Sequence, residues 1–362
     1  MTRHSPTMSD IAVQSYCSIE KFRKSSGPVL DIRSPSEFNQ GHFPGAINLP
    51  LFTDEERACV GKAYKQEGRD KAILLGLRFT NTKAKRLRTY LQELNLSSPL
   101  STQDNQPVKN LKLYCWRGGM RSASISWMAN LINIKTLILT GGYKAYRRWV
   151  LGQFCKSWSL CLIGGRTGTG KTELLQSLKK HQISTIDLEG LANHRGSSFG
   201  GLGLPEQPSS EQYENLIAEE LDNYKKVSKK AIWIEAESAH LGRCRIPSDF
   251  YKRMKEAPVL EIDRNKEERI YNLVGVYSVH KKEALQLATT RISRRLGPQR
   301  TKEALQAIEN GEWGKACSAM LDYYDRCYDH ELAKSPQRKT IDISGLTSDL
   351  AAAKLIQEGL IE

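Results

Sequence analysis

The chain has 362 residues, 39% of them hydrophobic, and its 54 Lys and Arg against 40 Asp and Glu give a formal net charge of +14. That length exceeds one ordinary core and predicts two domains, while the basic excess predicts a polyanionic partner, nucleic acid foremost, because phosphate-rich ligands release counterions on such a surface. No apolar run approaches bilayer length, and residues 1–10 are polar without a hydrophobic stretch, so no membrane partner and no export are expected and the expected location is cytoplasmic.

In chain order, residues 29–33 (Val-Leu-Asp-Ile-Arg) read as a short apolar strand, followed by Pro35, a helical Ser36-Glu37-Phe38 turn and the run Gly41-His42-Phe43-Pro44-Gly45-Ala46-Ile47-Asn48-Leu49-Pro50. Pro44, Gly45 and Gly141 are assigned to turns, and Asp31 and Arg33 to a structural pair. Residues 52–96 read as a helical insertion, with a basic stretch at 83–88, and residues 97–107 as a polar loop before the next strand.

Residues 111–122 (Leu-Lys-Leu-Tyr-Cys-Trp-Arg-Gly-Gly-Met-Arg-Ser) are the most informative stretch: an apolar strand delivers Cys115 into a glycine-containing turn closed by Arg121. Backbone N–H groups of Trp116, Arg117, Gly118, Gly119 and Met120 would line an anion cradle. Gly118 and Gly119 permit its curvature, and Arg121 adds a permanent positive charge, so a reactive thiolate is expected at Cys115. The eight cysteines contain no Cys-x-x-Cys pair and no zinc-type Cys/His spacing, which predicts reduced thiols and no structural metal. Residues 139–146 (Leu-Thr-Gly-Gly-Tyr-Lys-Ala-Tyr) close this part. The three motifs, in this order, resemble the rhodanese family, with Cys115 at its catalytic position, and predict a rhodanese-like α/β domain over residues 1–150.

Residues 158–163 (Trp-Ser-Leu-Cys-Leu-Ile) read as a second apolar strand leading into Gly165-Arg166-Thr167-Gly168-Thr169-Gly170-Lys171-Thr172 and an amphipathic helix. This is the P-loop pattern in its required context. Backbone N–H groups around Gly165, Gly168 and Gly170 would enclose a diphosphate, Lys171 would reach the outer phosphate, and Thr172 would ligate Mg2+. Further strands at 183–186, 231–234 and 259–262, separated by helix-length segments, predict a parallel sheet. The first two end in carboxylates, Asp187 with Glu189 and Glu235 with Glu237. Glu235 takes the position of a Walker B acid, and Asp187 is a second candidate for Mg2+. Residues 187–200 read as a substrate-facing loop in which Arg195 suits phosphate contact, while His194 is assigned no acid–base role. From about residue 265 the chain reads as helices, at 264–272, 281–296, 302–310 and 316–328, and the charge concentrates at 291–300. The second domain is expected over residues 155–362.

Joined in one chain, these halves resemble the bacterial tRNA 2-selenouridine synthase family. The residues that carry this are 115–122 in the first half and 187–197 (Asp-Leu-Glu-Gly-Leu-Ala-Asn-His-Arg-Gly-Ser) in the second, with residues 60–66, Gly76, Arg294-Arg295-Leu296-Gly297 and Tyr323-Tyr324-Asp325. The resemblance implies an α/β fold in which the rhodanese-like domain is followed by a P-loop NTPase-like parallel-sheet domain with a helical, basic C-terminal part. It also implies a selenotransferase with geranyltransferase activity: geranyl diphosphate alkylates the sulfur of a wobble 5-substituted 2-thiouridine, and selenophosphate then replaces the geranylated sulfur with selenium. On this reading diphosphate and Mg2+ belong to the P-loop. Selenophosphate belongs to residues 115–121, whose Cys-x5-Arg spacing equals that of cysteine phosphatases, and Cys115 either accepts selenium as a perselenide or promotes P–Se cleavage. The implied partners are the anticodon stem-loop of tRNA, gripped by Arg291, Arg294, Arg295 and Arg300, and a supplier of selenophosphate. Two alternatives share these motifs: a cysteine-dependent phosphatase fused to a small-molecule P-loop kinase, and a tRNA-binding regulator whose P-loop senses nucleotide. The first gives no reason for the basic charge or for residues 193–198, and the second has no need of a thiolate at Cys115.

Overall fold

A computed structural model of the chain describes residues 15–97, 110–224, 230–332 and 337–362. The chain divides into two units, Met1–Leu151 and Gly152–Glu362. Among the described residues no helix is long and apolar enough to cross a membrane.

The first unit runs β1 (Ser15–Cys17), α1 (Ile19–Lys24), β2 (Val29–Asp31), α2 (Pro35–Gln40), β3 (Ile47–Asn48), α3 (Asp54–Gln66), α4 (Arg69–Asn81), α5 (Ala84–Ser97), β4 (Leu111–Tyr114), α6 (Met120–Asn130), β5 (Thr136–Leu139) and most of α7 (Gly142–Phe154), which ends three residues past Leu151. Its strands form one parallel sheet in the order β1-β5-β4-β2-β3. β4 and β5 are buried along their whole length, as central strands covered on both faces must be. Lys112 within β4 tolerates this because its Nζ donates to the Phe22 and Ser25 carbonyls at 3.3 and 2.9 Å. The core gathers Leu30, Ile32, Leu113, Ile125 and Ile138 with Phe52, Leu87 and Leu91 from the helical segment between β3 and β4. Thr53 and Glu56 form a capping box that starts α3, which satisfies two otherwise orphan N–H groups.

The second unit runs β6 (Leu160–Gly164), α8 (Lys171–Lys180), β7 (Thr185–Ile186), α9 (Leu188–Ala192), α10 (Ser210–Tyr224), β8 (Ile232–Glu235), the hairpin β9 (His240–Leu241) and β10 (Cys244–Arg245), α11 (Ser248–Glu256) and β11 (Val259–Asp263). It continues with α12 (Lys266–Tyr277), α13 (Lys282–Arg291), α14 (Ser293–Leu296), α15 (Pro298–Glu309), α16 (Trp313–Leu332), β12 (Arg338–Asp342) and α17 (Ser348–Gln357). Its main sheet is parallel, in the order β12-β11-β6-β8-β7. Leu174, Leu175 and Leu178 of α8 and Ala351, Ala352 and Leu355 of α17 pack on Ile163, Leu260 and Ile262. Helices α13 to α16 form a separate cluster around Ala288, Ala304, Ile308 and Met320.

Three expectations change here. The chain beyond residue 265 is not helical throughout, because β12 adds an edge strand to the sheet. Its sequence, Arg-Lys-Thr-Ile-Asp, has one aliphatic residue, since an edge strand pairs on one side only; Arg338 and Thr340 instead serve the buried Glu261 of β11, each at 2.7 Å. The helix expected over 281–296 is two helices, broken at Ile292. The loop expected over 187–200 begins with the short helix α9, capped by Asp187.

Candidate active site

In the first unit β4 ends at Tyr114 and hands the chain to Cys115, which is 3% exposed. The Cys115 carbonyl accepts from the Tyr143 N–H at 2.8 Å and the Trp116 carbonyl from the Lys144 N–H at 3.0 Å. The loop therefore lies against the turn that opens α7. Two glycines make that approach possible. Gly118 has φ +66°, and a Cβ there would stand 2.2 Å from the Leu139 carbonyl oxygen; Gly142 has φ +56°, and a Cβ there would stand 2.2 Å from the Cys115 carbonyl oxygen. Gly119 meets nothing within 4 Å and instead caps α6. Trp116 and Met120 are exposed at the rim.

Arg121, in the first turn of α6, does not extend alone into the loop. Its Nη1 donates to Glu37 Oε2 at 2.9 Å. Glu37 also accepts from the Ser34 N–H at 3.2 Å and pairs with Arg57 at 3.6 Å. Burial pushes the Glu37 carboxyl up, but the Arg121 charge and hydrogen bond, with the Ser34 N–H and the Arg57 charge, together outweigh it and hold the group below its ordinary value. Asp31 and Arg33 form the structural pair the sequence predicts, buried and bidentate with a shortest contact of 2.6 Å. Arg33 also donates to the Gly41 carbonyl and lies 3.7 Å over the Tyr143 ring, so it braces the turn on which the cysteine loop rests.

In the second unit Ile163 pairs with Glu235 and Gly164 with Glu261, so the P-loop leaves the sheet beside the end of β8. Lys171 is buried, its Nζ donating to the Gly165 carbonyl at 3.0 Å and lying 4.6 Å over the Tyr328 ring. The Thr172 hydroxyl donates to Glu235 Oε1 at 2.7 Å and lies 3.3 Å from Glu189 Oε2. Asp187 takes a different place: its carboxylate accepts the Gly190 N–H at 2.6 Å, and α9 turns Glu189 toward Thr172 instead. Arg195 donates to the Leu202 carbonyl at 3.0 Å and so holds its own loop. Helices α12 and α16 brace the P-loop from outside. Arg166 pairs bidentately with Asp329, Arg269 donates from Nη2 to both carboxylate oxygens of Asp325, and Arg264 donates to the Thr169 carbonyl.

The carboxylates here are crowded. Burial and the Glu237 charge push Glu189 up to about 8, burial chiefly lifts Glu237 to about 7, and burial with the Glu189 charge carries Glu235 well above the carboxylate range. Among the described residues no three acidic, His or Cys side chains form a closed metal cage. One hydroxyl, one or two carboxylates and the free oxygens of a bound diphosphate are, however, what Mg2+ takes at such loops, and a cation would relieve the repulsion the raised values record. Thr172, Glu235 and Glu189 therefore fit Mg2+.

Arg291, Arg294 and Arg295 come together on one cavity of about 730 Å3, whose walls include Tyr323, Tyr324, Tyr328 and Glu237. Arg300 lies apart on α15, 3.8 Å from Asp322. Sequence reasoning put Glu189 among the carboxylates at the strand ends without giving it a role, and missed Glu37 and the tyrosines as site residues. Glu189 carried a signal, three positions past the end of β7 and two past Asp187; Tyr328, 157 residues from Lys171, carried none.

Residues 158–353 match the family described as tRNA 2-selenouridine synthase AAA domain, and residues 19–148 the family described as Rhodanese-like domain. The chain is 36% identical over 352 residues to the tRNA 2-selenouridine synthase of Hydrogenovibrio crunogenus, covering 88% of this chain and 92% of that one. To the proteins of the same name from Shewanella sediminis and Marinobacter nauticus it is 34% identical over 351 and 341 residues, covering 87% and 85% of this chain and 90% and 89% of theirs.

Proposed function

This chain belongs to the tRNA 2-selenouridine synthase family, and from that membership we propose that it exchanges sulfur for selenium at C2 of a tRNA wobble uridine in two steps. In the first, the 2-thiouridine sulfur displaces diphosphate from the first carbon of geranyl diphosphate, and N3 loses its proton. In the second, the selenium of selenophosphate adds to C2, the geranylated sulfur departs as a thiol, and water takes the phosphoryl group as phosphate. Alkylation comes first because a thiocarbonyl is a poor electrophile, whereas the S-alkyl group raises the electrophilicity of C2 and gives sulfur a way to leave.

The observation that carries this reading is the presence of two glycine-bearing loops of different chemistry, each following a largely buried strand, one with a thiol at Cys115 and the other with an ammonium at Lys171. Lys171 and the P-loop N–H groups bind and orient the diphosphate. Thr172, Glu235 and Glu189 would hold Mg2+, which supplies positive charge for the departing diphosphate. Cys115 and the N–H groups of residues 116–121 receive selenophosphate, with Glu37 orienting Arg121 beside them. The arginine and tyrosine cavity supports entry of the anticodon loop, since guanidinium groups pair with phosphates and aromatic rings stack on unpaired bases.

Thiolated tRNA, geranyl diphosphate and selenophosphate incubated with the protein, followed by nucleoside mass spectrometry, test the scheme. Cys115→Ala is expected to stall at the geranylated nucleoside and Lys171→Ala to leave the 2-thiouridine unchanged. Formation of 2-selenouridine by both variants at the wild-type rate overturns it.

A further inference from the structure

Beside the P-loop lies a second, smaller cavity whose lining is almost wholly apolar. Its walls include Leu273 and Tyr277 of α12, Trp313, Ala316 and Met320 of α16, and Phe199. No charged side chain lines it, and burial pushes the Cys317 thiol in its wall up to about 11. Thr167 of the P-loop is itself part of the lining. The contact between the two is close: Leu273 Cγ lies 3.1 Å from where a Cβ on Gly168 would stand, and the neighbouring Asn272 donates to the Gly168 carbonyl at 2.9 Å. Ser197 and Tyr324 line both this cavity and the large arginine and tyrosine cavity. A phosphate loop, an apolar recess and a base-sized chamber thus adjoin one another.

That arrangement selects the ligand. A ribose and a base, both rich in hydrogen-bonding groups, would find few partners in the walls of this recess, and unpaired polar groups are costly to bury. A hydrocarbon chain meets no such cost. The volume of about 60 Å3, at roughly 10–15 Å3 for each water-sized group, gives room for about four to six such groups. That is close to one five-carbon isoprene unit.

We infer that this recess receives the hydrocarbon chain of a prenyl diphosphate whose phosphates occupy the P-loop, enclosing its distal isoprene unit, and that Leu273, Ala316 and Met320 determine the chain length accepted. The inference rests on the assignment of diphosphate to the P-loop and adds to it the part of the protein that distinguishes one prenyl diphosphate from another. Tyr324 and Ser197, shared by both cavities, then border the point where chain and target base meet.

Affinities of the full-length protein in Mg2+ for inorganic pyrophosphate, for ATP and for unreactive thiolodiphosphates carrying dimethylallyl, geranyl and farnesyl chains test this. In the wild type the geranyl compound is expected to bind at least about tenfold more tightly than the dimethylallyl one, as burial of five further carbons requires, and more tightly than ATP. Ala316→Phe fills the recess and is expected to reduce the geranyl compound to the dimethylallyl level while leaving pyrophosphate unchanged. Met320→Ala enlarges it and is expected to raise farnesyl affinity severalfold, which decides the matter should the phenylalanine variant fail to fold. Unchanged geranyl and farnesyl affinities in the folded variants, with pyrophosphate still bound, overturn the recess and leave the diphosphate site standing. Failure of the wild type to bind pyrophosphate or any thiolodiphosphate overturns the diphosphate site and the recess with it.

Discussion

Arg121 holds its position because Glu37 holds it, and the two are legible to different degrees. The sequence announces the arginine by its spacing from Cys115, but its counter-ion lies 84 positions away on α2, and no local pattern ties them. Glu37→Gln keeps the shape of the side chain and removes its charge. Because the Glu37 carboxyl is held below its ordinary value of 4.5 in the folded protein, its stabilising contribution is present above that pH and lost as pH falls through the folded value. Urea unfolding is expected to separate wild type and Glu37→Gln by about 1–3 kcal/mol at pH 7, with the two curves converging as pH falls below 4.5. The buried Asp31 and Arg33 pair, by contrast, is readable as a pair because the residues are two apart on adjoining backbone. Asp31→Ala leaves a guanidinium that is 1% exposed without its carboxylate and is expected to cost about 3–5 kcal/mol, more than exchange of both residues for apolar ones of similar size. Equal losses for the single and double replacements in urea unfolding would contradict this.

At the scale of elements, the cysteine loop depends on the turn before α7. Gly142→Ala places a Cβ 2.2 Å from the Cys115 carbonyl oxygen and 2.4 Å from the Gly118 nitrogen, on backbone with φ +56°, so the loop has to move. Its expected cost exceeds about 2 kcal/mol, with arrest at the geranylated nucleoside. Gly119→Ala, where nothing lies within 4 Å, is the comparison and is expected to cost under about 1 kcal/mol. Equal behaviour of the two variants in thermal unfolding and nucleoside assays would show that close packing of these turns does not hold the loop. Strands β4, β6 and β11 were legible because apolar runs bounded by glycine or polar residues have few other uses in a parallel sheet. β12 was not, since Arg338 and Thr340 lie in it to satisfy Glu261, and a strand that serves another residue's polarity has no apolar signature. That the Thr172 hydroxyl lies near Glu189 while Asp187 caps α9 was illegible for a similar reason, since capping is decided by where the helix starts.

For the whole molecule, the charge of +14 is expected to act through the few cations that converge, Arg291, Arg294 and Arg295. Arg294→Glu with Arg295→Glu is expected to weaken tRNA binding at all salt concentrations below 0.2 M and to flatten the dependence of log affinity on log salt by about 1–2. Arg300→Glu, outside the cavity and beside Asp322, is expected to change that slope by less than about half as much. Filter binding across a salt series measures both, and equal slopes for all three proteins would place the tRNA elsewhere. Sequence alone determined the family, the two α/β sheets and the positions of Cys115 and Lys171, because cradles for tetrahedral anions are built from contiguous backbone and contiguous backbone writes its requirements locally as glycine, lysine and arginine at fixed spacing. Tertiary structure alone decided that Glu189 joins Glu235 at Thr172, what restrains Arg121 and where an apolar recess opens beside the P-loop. Those depend on side chains from distant helices converging in space, and convergence is a property of packing that no short stretch of sequence records.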